Sequence, residues 1–273
     1  MTDSVSVIIP TWNRQESLAK AIRSALVQTL AVAEVLVCDD GSTDASREVV
    51  RAIADRRVRW VEGSRGGRPA IPRNRGIHES RGEWLAFLDD DDEWLPEKLE
   101  RQLGLAGSLG TLAVSSNAFR IIPGMPRGKA LLDWQGERLT FADILDTNRV
   151  ICSSVLIHRS LIADVAGFPE SPRLIACEDY ALWLRVASRT DFAYVAEPLL
   201  NYRDDPVNSV RKAGPDEKSL RRDVLDDFTR WAAQSGLQGE CRRAAVRHYR
   251  AMRLAGWRES CRALVFRFTR EHD

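Results

Sequence analysis

A chain of 273 residues, 44% hydrophobic, can bury one large core, or one core with an appendage, without disulfides or metals as staples. Its five cysteines (Cys38, Cys152, Cys177, Cys241, Cys261) are scattered, with no CxxC or Cys/His metal spacing, which argues against a disulfide framework or zinc site and for a reducing cytoplasm. A net charge of +1 offers nothing to nucleic acid, the N-terminus lacks a basic region followed by an apolar stretch, and no run nears the roughly 18 apolar residues of a membrane span.

Val5 to Ile9 is a β-branched run closed by Pro10, and from Glu16 onward Leu18, Ile22, Ala25 and Leu26 recur at helical spacing. The same order follows again. Val35 to Cys38 reads as a buried strand, Asp39 to Thr43 as a polar turn, and Asp44 as the cap of a helix carrying Val49, Val50 and Ile53. Val58 to Val61 is a third strand. A loop rich in glycine, arginine and proline (62–68) leads to a predicted helix from Pro69 to Ser80, and Glu83 to Leu88 forms a fourth strand ending at four acids. Strands alternating with helices predict a largely parallel, covered sheet whose ligands gather at the carboxyl ends of the strands.

The second half is less regular. Thr111 to Ser116 is a predicted strand, and Ile122 to Trp134, with its prolines and glycines, a loop expected over the site. Leu139 to Leu145 and Ser160 to Ala166 are predicted helical, with a β-rich stretch from Val150 to His158 between them. Glu178 to Ser188 presents one broad apolar face of a helix. Ala193 to Val195 and Leu199 to Tyr202 are expected as short strands, and beyond Pro215 an appended helical hairpin with breaks near Gly236 and Gly256 is expected. From Cys241 onward nine arginines stand against three acids, a net +6 that could meet an anionic membrane surface or form a solvated helix face.

Asp89, Asp90, Asp91 and Asp92, taken alone, read as a solvated acidic turn. They do not stand alone. In a parallel sheet the first strand end (Pro10, Thr11, Trp12, Asn13, Arg14), the second (Asp39, Asp40, Gly41, Ser42) and the acidic fourth open on the same edge. Acids in one crevice, beside a segment bearing Arg65, Arg68, Arg73 and Arg75, point to a metal-bridged polyphosphate: a hard cation takes oxygen ligands, and arginine supplies bidentate phosphate contacts.

The segments 5–14 (VSVIIPTWNR), 37–44 (VCDDGSTD), 72–76 (PRNRG), 84–99 (WLAFLDDDDEWLPEKL) and 178–185 (EDYALWLR) resemble, in family order, those of the inverting family-2 glycosyltransferases. The resemblance spans roughly residues 5 to 205. It implies a GT-A fold, a Rossmann-like, mainly parallel mixed α/β sheet flanked by helices. On this reading residues 1–210 form the transferase domain, with a nucleotide-binding half (1–116) and an acceptor half (117–210), and 211–273 a helical extension.

Carried over by position, the resemblance implies that Pro10, Thr11, Asn13 and Arg14 line the nucleotide pocket and that Asp40 meets the base edge. Arg73 and Asn74 would lie near the diphosphate, with Pro72 in place of the family's small residue. Asp89 and Asp91 would be the DXD acids, Asp91 the main ligand of Mn2+ or Mg2+ and Asp90 nearer the ribose. Glu178 and Asp179 match the family's acidic pair, with Asp179 as base for the acceptor hydroxyl; without the resemblance they read as acids at a helix N-terminus. Where many relatives have a histidine after the last strand, Asp205 stands, either as an additional metal ligand or swung outward, with the outward position expected.

The implied function is metal-dependent transfer of one sugar from a nucleotide-sugar, a UDP-sugar, to a glycan or lipid-linked acceptor in surface-polysaccharide assembly. The location is cytoplasmic, with peripheral contact at the inner membrane face through the basic C-terminal helices. No Gln-x-x-Arg-Trp motif of processive members is present. Two alternatives are a sugar nucleotidyltransferase, which would carry a glycine-rich N-terminal loop, and a catalytically silent nucleotide-sugar-binding module. Gly124 to Lys129 lacks the spacing of a Walker A loop, His158 reads as a packed or capping residue, and Trp60, Trp84, Trp94 and Trp183 read as core, with Trp94 able to shape an acceptor subsite.

Overall fold

The computed structural model describes residues 4–205 and 217–252. The chain divides into two compact units, Met1–Gly214 and Pro215–Asp273. The first opens with β1 (Val5–Thr11), α1 (Leu18–Leu26), β2 (Glu34–Asp39), α2 (Ser46–Ile53), β3 (Val58–Val61), α3 (Ala70–Glu79) and β4 (Trp84–Phe87). It continues with β5 (Glu93–Trp94), α4 (Lys98–Leu109), β6 (Ala113–Ile121), β7 (Arg138–Leu139), α5 (Phe141–Asp146), β8 (Leu156–His158), α6 (Arg159–Asp164), α7 (Glu178–Ala187) and β9 (Phe192–Arg203). One sheet holds them all, in the order β3-β2-β1-β4-β8-β6-β9-β5, with β7 paired to β9.

β1, β2, β3 and β4 are mutually parallel, as expected from the strand and helix alternation. The other half departs from that pattern. β8 runs antiparallel between β4 and β6, β5 and β7 run antiparallel to β9, and β6 and β9 are parallel. Both faces of the central strands are covered, which is why they are continuously apolar rather than alternating. Val5, Val7 and Ile9 pack in one core with Leu18, Ile22 and Leu99. On the other face a Cβ added at Gly76 of α3 would stand 2.5 Å from Ile8 and 2.8 Å from Cys38. Phe87, Phe168, Trp183 and Phe192 form a chain of edge-to-face and tilted ring contacts there.

Several boundaries differ from the sequence expectations, each for a local reason. The two short strands expected at 193–195 and 199–202 are one strand, β9, because Pro198 sits at an irregularity where the β6 register shifts instead of breaking the strand. Residues 122–134 do not lie over the site. They fold back along β6, with Gly128 N donating to Arg120 O at 2.9 Å, Leu131 N donating to Ala118 O at 2.8 Å, and an isolated bridge from Phe119 to Ala130. Asp44 does not cap α2, which starts at Ser46; its carboxylate accepts from Ser46 N and Gln15 N at 3.0 and 3.1 Å and stitches two loops together.

Trp94 is core rather than subsite: its Nε1 donates to Ser153 O at 2.8 Å, and the buried Lys98 ammonium lies 4.1 Å from its ring centroid. Lys98 donates to Gln102 Oε1 at 2.8 Å, and burial alone holds its pKa well below the usual lysine range. Gln102 Nε2 donates in turn to Ser154 O at 2.7 Å, and Ser153 Oγ accepts from Asp89 N at 3.0 Å. The acidic strand end is thus tied through a buried polar network to α4. His158 caps α6, its Nδ1 accepting from Ser160 N at 3.3 Å.

In the second unit α8 (Glu217–Gln234) ends before Gly236, which takes a left-handed φ of 69°, and residues 240–252 are helical again. The break expected near Gly256 and the arginines from 253 onward lie outside the described residues. Among the described residues no helix is long and apolar enough to cross a membrane.

Candidate active site

One cleft of about 550 Å3 opens at the carboxyl ends of β1, β2 and β4. It is lined by Pro10, Thr11, Trp12, Asn13 and Arg14 after β1, by Asp40 after β2, and by Asp89, Asp90 and Asp91 after β4. Arg65, Gly67, Arg68, Pro69, Pro72 and Arg73 close one side, Ala176, Glu178 and Asp179 another, and Tyr202 to Asp205 at the end of β9 a third.

The β1 and β2 loops hold each other in register. Asn13, in a left-handed conformation with φ 52°, donates from N to Ser42 Oγ at 3.0 Å and accepts from Thr43 N at 2.8 Å. Arg14 N donates to Ser46 Oγ at 3.1 Å, and Asp39 accepts from Ser42 N at 2.9 Å. Thr11 O accepts from Asp40 N at 2.9 Å. Asp40, almost fully buried, accepts from Gly66 N at 2.7 Å and Gly67 N at 2.9 Å and pairs with the Arg65 guanidinium. Arg65 also lies over the half-exposed Trp12 ring, 3.7 Å from its centroid.

Burial comes first, and mutual repulsion second, in setting the charge state of Asp90, Asp91 and Asp92. Arg14 is the nearest cation to Asp90 and Asp91, at 3.6 and 4.0 Å. Burial, and then the Asp91 charge, push Asp90 up to about 7 against the pull of Arg14. Burial and Asp89 raise Asp91, and burial with Asp89 and Asp91 raises Asp92 well above the carboxylate range. Asp92 is buried and does not line the cleft; its Oδ1 accepts from Arg203 N at 2.8 Å. Among the described residues no three acids converge as a closed metal cage. A hard cation held by one or two carboxylates and completed by phosphate and water needs no such cage, so this donor set fits one.

Arg73 reaches from α3 to both acidic groups, 2.6 Å to Asp89 Oδ1 and 2.8 Å to Glu178 Oε1. Asp179, one residue further into α7, lines the cleft, and its Oδ1 accepts from Tyr180 N at 2.7 Å.

All the expected site residues line this cleft except Asn74. It faces the other way on α3, donating to Phe168 O and Glu170 Oε1, both at 2.8 Å, and accepting from Phe168 N at 2.9 Å. Its amide therefore ties α3 to the segment after α6. Arg75 likewise leaves the cleft and donates to Asp39 O at 2.5 Å. Asp205 does not swing outward; it lines the cleft and pairs with Arg203 at 3.3 Å. Ala176, with φ 67°, had no sequence signal, because nothing in an alanine announces a left-handed backbone.

A mainly parallel sheet with acids at its strand ends and a smaller antiparallel half is the architecture of GT-A glycosyltransferases. Over 92% of this chain and 73% of the other, it superposes with a TM-score of 0.73 and 17% identity on S. aureus TarS 1–349 in complex with UDP-GlcNAc. It also superposes on the mannosyltransferase PcManGT from Pyrobaculum calidifontis in complex with GDP-Man and Mn2+, with a TM-score of 0.56 and 19% identity over 86% of this chain and 65% of that one. Among curated relatives, the Escherichia coli UDP-Glc:alpha-D-GlcNAc-diphosphoundecaprenol beta-1,3-glucosyltransferase WfgD is 31% identical over 228 residues, 82% of this chain and 86% of the relative. Residues 6–164 match the model of Glycosyl transferase family 2, and the chain belongs to that family. It is a glycosyltransferase.

Proposed function

We propose that the protein transfers a single sugar from a UDP-sugar to a lipid-linked or glycan acceptor in cell-surface polysaccharide assembly, with inversion at the anomeric carbon and with Mn2+ or Mg2+ as cofactor. The observation that carries this reading is that Asp179 lines the same cleft as Asp89, Asp90 and Asp91 at the β4 end. The WfgD relative is named for a UDP-Glc donor and a diphosphoundecaprenol-linked acceptor, and the two solved neighbours carry nucleotide-sugars, one of them with Mn2+. They support the donor class, the acceptor class and the metal.

Pro10, Thr11, Asn13 and Asp40 would seat the nucleoside, with Asp90 toward the ribose. Asp91 and the second oxygen of Asp89 would hold the cation, which when bound supplies positive charge against the departing diphosphate. Asp179 takes the proton of the acceptor hydroxyl as its oxygen attacks the anomeric carbon, and the bond to the diphosphate breaks on the opposite side. A lipid-linked acceptor places the work at the cytoplasmic membrane face, where the basic C-terminal segment would meet anionic lipid.

Calorimetric titration of UDP with and without Mn2+ tests the metal assignment: wild type should bind in a metal-dependent way and Asp91→Ala should lose that dependence. Equal, metal-independent binding by both would contradict it. Asp179→Asn should keep donor binding and lose about 10²- to 10⁴-fold in turnover, the range expected for a general base. Undiminished turnover would remove Asp179 from the mechanism.

A further inference from the structure

The resemblance to family motifs puts Arg73 beside the diphosphate, but its geometry is that of a strut. Its side chain is 5% exposed and carries two acids on separate nitrogens, Asp89 on Nη2 and Glu178 on Nη1, while its Nε is sealed from solvent without a partner. The Phe168 ring lies beneath the guanidinium, 5.3 Å from centroid to Cζ. A phosphate ligand would need these nitrogens free and turned to the cleft. Here they are oriented by two carboxylates from different elements, the end of β4 and the start of α7.

The wall that needs holding is the start of α7. Its N-cap residue, Cys177, makes no side-chain capping hydrogen bond, and the chain enters it through Ala176 in a left-handed conformation that alanine rarely adopts. Backbone bonds from Cys177 N to Leu174 O at 3.0 Å and from Ala181 N to Cys177 O at 3.1 Å hold the main chain at this point, and the Glu178 side chain reaches from the first turn to α3. Glu178 is the first residue of that turn and is buried on Arg73; Asp179 is its covalent neighbour. On the other side Arg73 grips the first acid of the β4 end.

We propose that Arg73 is a positioning residue for sugar transfer: acting through Glu178, it sets the place of Asp179 relative to the Asp89 to Asp91 wall. The inference rests on the assignment of Asp179 as base. Misplacing a reacting group by about 1 Å can cost on the order of 10²-fold in rate without touching ground-state binding. The informative variant is Glu178→Gln, which keeps an acceptor for Arg73, removes the charge and leaves Asp89 undisturbed. Arg73→Lys, whose single ammonium cannot span both acids, is the companion.

For each variant, UDP binding with Mn2+ is measured by calorimetry, turnover by initial rates, and folding by the unfolding midpoint. Glu178→Gln should lower kcat by about 10-fold or more while the UDP dissociation constant stays at the wild-type value, and Arg73→Lys should lower kcat in the same direction. Weakened UDP binding by Glu178→Gln, or an unchanged kcat in that variant, overturns the strut. An Asp179→Asn control separates the two claims: if it keeps turnover, the base assignment fails and takes this inference with it. If it is inactive while Glu178→Gln is fully active, only the strut fails.

Discussion

Arg65 shows how a single side chain can stand in a ligand's place. Its planar guanidinium stacks on Trp12 and donates toward Asp40, which is what a nucleobase with a ring N–H would do there. Asp40 does not depend on it for orientation, since Gly66 N and Gly67 N already hold the carboxylate. A base that uses Asp40 therefore has to displace Arg65, and that displacement lowers its apparent affinity. Removing the competitor should raise it: Arg65→Ala is expected to bind UDP about fivefold more tightly than wild type, read by calorimetry, and weaker binding would make Arg65 a ligand instead. The four aspartates taken alone read as a solvated turn; their place in a shared crevice was legible only because the β1 and β2 ends open on the same edge. Which side chains they face was not. Arg14 on Asp90 and Arg65 on Asp40 depend on loops whose conformations, Asn13 at φ 52° among them, leave no pattern in residue type.

Elements set these positions by how closely they lie on the sheet. α3 carries Arg73 and rests on β1 and β2 through Gly76, where any Cβ would meet Ile8 and Cys38 at under 3 Å. Gly76→Ala gains about 1 kcal/mol of helix propensity but overpacks a rigid contact, at a cost of about 1–3 kcal/mol, so the loss should win. The expected outcome is a midpoint lowered by about 2–4 °C in thermal unfolding together with reduced turnover, because lifting α3 moves Arg73 with it. A raised midpoint would show that the sheet yields. Helical spacing made α1 and α7 legible, and short apolar or β-branched runs made the first four strands so. Such signals failed where pairing, rather than pattern, defines the element: β5 and β7, two residues each, exist only because β9 offers them an edge, and β9 itself runs through Pro198 because β6 absorbs the register shift.

At the scale of the whole molecule, every described residue lining the cleft falls between Pro10 and Asp205, inside the unit Met1–Gly214. Among the described residues all nine strands of its sheet end by Arg203. The alternation of strand and helix made the parallel half of this unit legible; the antiparallel half was not, because its strands pair across long stretches of chain, such as β4 with β8. A chain ended at Gly214 should then keep the metal-dependent thermal shift given by UDP. The arginine-rich segment belongs to the second unit, and if its net positive charge serves to bring the enzyme to anionic lipid, the two properties separate. The intact protein should sediment with vesicles containing phosphatidylglycerol and release as salt is raised, since a polybasic contact is screened within a Debye length of about 8 Å at physiological ionic strength. The shortened chain should not sediment, yet should still respond to UDP. Loss of the UDP response on truncation would mean that the cleft needs the second unit, and equal sedimentation of both chains would place any lipid contact on the first.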